Sequence, residues 1–67
     1  MSENILQLED IVSRTQQLDA DSDYYMIRLK TTRLMSDIRY YRLILDFIAE
    51  ERSMLVDLAR RKFNYII

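Results

Sequence analysis

Not one of the 67 residues is Gly or Pro, the two residues that most strongly interrupt regular backbone. A chain without them lacks the residues that most readily take left-handed corners or end a helix, so long helices are the expected outcome. The same absence removes phosphate-cradling glycine loops and dinucleotide fingerprints. His, Cys and Trp are missing too, which excludes an imidazole base, a thiolate nucleophile, a Cys/His zinc site and a disulfide framework. Ser13, Ser22, Ser36 and Ser53 have no base beside them, and the carboxylates Asp46 and Glu50, one helical turn apart, have no histidine with them and face competition from Arg42. The expectation is therefore a non-enzyme with no catalytic residue, no metal, no cofactor and no small-molecule substrate.

Leu, Ile, Val and Phe make up nearly a third of the chain, enough for collapse into a folded state. A chain this short hides only about 60% of its unfolded surface, and without disulfides or metals the remaining support is association. Met1 to Leu18 has no basic start followed by an apolar core, so a cytoplasmic setting is the default expectation. The apolar runs Leu43–Leu45 and Phe47–Ala49 are separated by Asp46 and fall far short of the roughly 20 residues a membrane span requires.

The formal charge of −1 conceals an uneven distribution: residues 1–23 hold six acids and one base, residues 24–67 nine bases and five acids. This is the pattern of an acidic helix lying against a basic one. The cluster Leu18-Asp19-Ala20-Asp21-Ser22-Asp23 is rich in side chains that compete for backbone hydrogen bonds, which favours a turn or a helix cap there. The chain thus reads as one helical domain over 1–67, with a short helix over about 3–18, a turn over about 19–22 and a long helix over about 23–66. A kink or a second hairpin near 50–53, where Glu51, Arg52 and Ser53 bring polar residues into the apolar side, is the competing reading.

In the first helix Ile5, Leu8, Ile11, Val12, Thr15 and Leu18 share a face, with Leu6 off it. In the second, a mainly polar stripe runs through Arg28, Thr32, Met35, Arg39, Arg42, Asp46, Glu50, Ser53, Asp57, Arg61 and Asn64 in steps of three and four, which favours one unbroken helix on the order of 60 Å long. Its apolar side resolves into two seams. One follows Ile27, Thr31, Leu34, Ile38, Tyr41, Leu45, Ile48, Arg52, Leu55, Ala59, Lys62 and Ile66 with heptad spacing. The other holds Leu29, Tyr40, Phe47, Met54, Leu58 and Tyr65, about a third of a turn away.

A short first helix covers the long one only over about Tyr24 to Tyr40, leaving the apolar second half for another chain. The expected architecture is an all-α helical hairpin that assembles into a coiled-coil-like bundle, and the expected role is that of an adaptor, scaffold or regulatory subunit. Its expected partner is itself, as a dimer or higher oligomer, or another helical protein. Leu34, Ile38, Tyr41, Leu45, Ile48 and Leu55 are assigned to the partner seam, Phe47, Met54, Leu58 and Tyr65 to a second contact. Ile66 belongs with them, because the terminal Asn64-Tyr65-Ile66-Ile67 has no polar tail and is expected to dock in an interface. The alternative reading is a dimeric nucleic-acid-associated regulator that presents Arg39, Arg42, Arg60, Arg61 and Lys62 to phosphates. Cations in the last turns also complement the helix dipole and pair with Asp57, which is the structural explanation of the same residues.

Overall fold

A computed structural model of the chain describes residues 7–67, and places two α-helices, α1 (Leu8–Thr31) and α2 (Met35–Phe63), side by side as an antiparallel hairpin. Its extents are 46 × 26 × 15 Å, the dimensions of a slab one helix thick and two helices wide. The expected first turn of α1 at Glu3, with Ile5 and Leu6, lies outside the described residues.

The start of α1 is stabilised by charge. The Gln7 amide donates to the Asp10 carboxylate at 3.3 Å, and Glu9 and Asp10 occupy the first turn, where negative charge suits the exposed amides. From there the buried side follows Ile11, Thr15, Leu18, Ser22, Tyr25, Leu29 and Thr32, an unbroken alternation of four and three. The Thr15 hydroxyl, buried in this seam, is satisfied by the Ile11 carbonyl at 2.8 Å.

This seam corrects the expected turn at 19–22: α1 runs straight through it. An Asp or Ser in a helix interior costs at most about 0.7 kcal/mol relative to Ala. Burying one Leu contributes about 1.5–3 kcal/mol. Leu18 before the cluster and Tyr25 and Leu29 after it are in phase on the α2-facing side, with Ser22 as the small residue between them, so packing overrides local preference. The first helix is 24 residues long and the second 29. The short-then-long division, and the bare second half of the long helix that followed from it, are therefore replaced by two helices of comparable length lying along each other.

The reversal falls instead at Thr32-Arg33-Leu34. Thr31 closes α1 by donating its hydroxyl to the carbonyls of Ile27 at 3.1 Å and Arg28 at 3.2 Å, and the Thr32 amide still donates to Arg28 at 2.9 Å. Thr32 then turns extended, at φ −79° and ψ 149°. Its hydroxyl accepts the Leu34 amide and donates to the Asp37 carboxylate, each at 3.3 Å. One threonine thus ties the end of α1 to the first turn of α2. The polar stripe passes through this loop in phase, which is why it looked like a single helix. The seams do not: after Thr32 the heptad would continue at Ser36 and Arg39, whereas α2 turns Ile38 and Tyr41 toward α1.

α2 is continuous through 50–53, and the charges there have partners across the hairpin. Arg14 Nε donates to Glu51 at 2.8 Å and Arg52 Nε to Asp19 at 2.6 Å. Acid and base are contributed by each helix in turn, so the charges fix the antiparallel register on both edges of the seam. The helix ends at Asn64, at φ 55°. Asparagine is the residue that best tolerates this left-handed corner after glycine, and in a chain without glycine it takes that place. The Tyr65 amide folds back to the Ala59 carbonyl at 3.2 Å.

Candidate interaction surface

Ile38, Tyr41, Leu45, Ile48, Arg52, Leu55 and Ala59 form the side of α2 that meets α1. Of the residues assigned from sequence to a partner seam, Ile38, Tyr41, Leu45, Ile48 and Leu55 are accordingly half-buried against the chain's own first helix rather than open to a second chain. These residues share one face of α2, and α1 extends far enough to lie along it. Leu34 lies elsewhere, exposed in the loop.

At the loop end the seam is aromatic. Tyr25 and Tyr41 meet across the hairpin with ring centroids 5.8 Å apart, and Tyr24 and Tyr40 pack on them at 5.1 and 5.7 Å. Arg28 stands over the Tyr41 ring, 5.9 Å from its centroid, and Arg28 Nε donates to the Tyr41 hydroxyl at 3.4 Å. That contact keeps the Arg28 guanidinium charged more firmly than usual and gives the Tyr41 hydroxyl a partner at the surface. At mid-hairpin, the hydrogen bond from Arg14 holds the Glu51 carboxyl below its ordinary range.

The side of α2 turned away from α1 is a second heptad row: Ser36, Tyr40, Leu43, Phe47, Glu50 and Met54, all exposed. Tyr40 is 59% exposed, Leu43 54%, Phe47 63% and Met54 66%. Of the four residues expected to form a second contact, Phe47 and Met54 stand in this row, Leu58 continues it half-buried, and Tyr65 lies exposed in the tail beyond Asn64 together with Ile66. Leu43 belongs to the row and was not assigned to it. Its signal was present in the spacing Tyr40-Leu43-Phe47, read as part of a general apolar cluster.

The candidate phosphate contacts do not form one patch. Arg39 and Arg42 are exposed near the start of α2, whereas the Arg60-Arg61-Lys62 cluster lies about 30 Å along the helix. In that cluster Arg61 pairs with Asp57 at 2.9 Å and the Lys62 ammonium lies over the Phe63 ring, 5.8 Å from its centroid. Arg60 borders a shallow depression with Ser53, Val56, Asp57, Tyr65 and Ile66. Arg42 and Asp46, one helical turn apart, are both exposed and are not among the ion pairs of the described residues.

Among the described residues no group of three or more acidic side chains is placed to hold a metal ion, and no helix is long and apolar enough to cross a membrane. The chain matches no protein-family model, no curated protein and no solved structure.

Proposed function

We propose that this protein is a non-catalytic protein–protein interaction module, an adaptor, scaffold or regulatory subunit that packs the outer face of α2 into a multi-helix, coiled-coil-like assembly in the cytoplasm. The observation that carries the reading is the exposed row Tyr40, Leu43, Phe47 and Met54. Single exposed apolar residues are ordinary on any surface, but a contiguous row of large ones marks an interaction site. Tyr, Phe and Met are also residue types enriched in interfaces. Helix-in-groove recognition requires anchors at three- and four-residue spacing along one face, which this row supplies.

A photo-reactive phenylalanine analogue at position 47, in the full chain expressed in cells, tests the reading. The expected result is a discrete covalent adduct with a protein. An adduct with nucleic acid alone would favour phosphate recognition by Arg39, Arg42 and the Arg60-Arg61-Lys62 end. No adduct at all would remove the outer face of α2 from the function.

A further inference from the structure

We infer that the outer face of α2 is built to receive a second copy of this chain, antiparallel to the first, about a two-fold axis at the level of Leu45. This rests on the reading of that face as an interface and specifies its occupant. Charge along the edge of the face changes sign at its middle, between Arg42 and Asp46.

Along the polar edge of this face Arg39 and Arg42 are exposed before its middle and Asp46 and Glu50 after it, while farther on Asp57 is already paired with Arg61. A two-fold axis perpendicular to the helices lays the first half of each copy on the second half of the other. Arg42 then meets Asp46 of the second copy and Arg39 meets Glu50, each pair occurring twice.

The heptad row fits the same axis. Leu43 is set against Phe47 of the second copy, Tyr40 against Glu50 and Ser36 against Met54. Two of these layers join a small or branched side chain to a long one, Ser36 to Met54 and Leu43 to Phe47, as antiparallel knobs-into-holes packing favours. The Glu50 carboxylate, the single charge inside the row, receives the Tyr40 hydroxyl as well as the Arg39 guanidinium, so it is not left unpaired. A C₂ pairing needs one patch complementary to itself, and the succession Arg39, Arg42, Asp46, Glu50 beside the apolar row meets that condition.

The area is also sufficient. Large side chains that are more than half exposed at Tyr40, Leu43, Phe47 and Met54, with their charged flanks, hide on the order of 1,200 Å² from two copies, at the lower edge of specific interfaces. A reversible dimer that dissociates on dilution is the expected behaviour.

Two charge-reversed chains test this directly: one carries Arg39→Glu with Arg42→Glu, the other Asp46→Arg with Glu50→Arg. All four positions are exposed, so circular dichroism should report unchanged helix. By sedimentation velocity each variant alone should dimerise at least tenfold more weakly than wild type, because like charges now face each other. Mixed in equal amounts they should form a heterodimer within a few-fold of wild-type affinity, since every pair is again opposite in sign. Mixing either with wild type should not rescue it. Two helical variants that fail to combine, or that dimerise alone as well as wild type does, would overturn the inference. Should a variant lose its helix, the wild-type chain decides alone: a monomer at all accessible concentrations excludes the second copy. If the probe at position 47 still crosslinks to a different protein in that case, the interface reading stands without the self-pairing.

Discussion

Replacing Leu18 with Ala is expected to lower the stability of the hairpin by about 2–5 kcal/mol, the range of large-to-small changes at fully buried sites. Leu18 is 2% exposed, and among the described residues it shares full burial only with Ile11, Ala59 and Thr15. A two-helix slab has no second layer that can collapse into the space left behind, so the upper part of the range applies. Small domains have about 5 kcal/mol or little more to lose. The variant should therefore show a shallow, poorly cooperative thermal melt by circular dichroism at 222 nm, where wild type shows a sigmoidal one. A loss below about 1 kcal/mol would place Leu18 at the edge of a turn and not in a continuous seam.

The second large effect separates the two turn assignments. Asp21→Pro should cost about 3 kcal/mol or more, because proline inside a helix removes an i→i−4 hydrogen bond and clashes with the preceding turn. Arg33→Pro should change stability by less than about 1 kcal/mol. The residue before a proline must be extended, and Thr32 already stands at φ −79° and ψ 149°. Urea titration of both variants checks this. If the reversal lay at 19–22, the order would be inverted, with position 21 tolerant and position 33 disruptive inside a long helix.

How far the hairpin is legible in the sequence depends on which residues are consulted. The absence of Gly and Pro and the apolar spacing of Ile11, Thr15 and Leu18 suffice for an all-helical hairpin with that face inward. The seam of α2 from Ile38 to Ala59 is equally readable, including the intrusion of Arg52, which has Asp19 as its reason. The turn was misplaced because local preference and tertiary packing disagree over Asp19 to Asp23. Ser22, Tyr25, Leu29 and Thr32 continue the α1 heptad, and that continuity outweighs a run of poor helix formers.

The loop was hidden for the converse reason. Thr31 and Thr32 are weak signals taken singly, and the polar stripe happens to cross them in phase. The informative feature is the half-turn jump between the two seams after Thr32, visible only when both are followed together. With the turn at 32–34, α1 has the length to lie along Leu45, Ile48 and Leu55, and the row through Tyr40, Leu43, Phe47 and Met54 stays exposed.

Light scattering of the wild-type chain beside Phe47→Glu, at matched concentrations and with circular dichroism on the same samples, tests most directly that the outer face of α2 is where this chain associates. Wild type is expected to show a mass above that of one chain that falls on dilution, and Phe47→Glu the mass of one chain with the same helix content. Equal masses for the two proteins at every concentration would contradict the account.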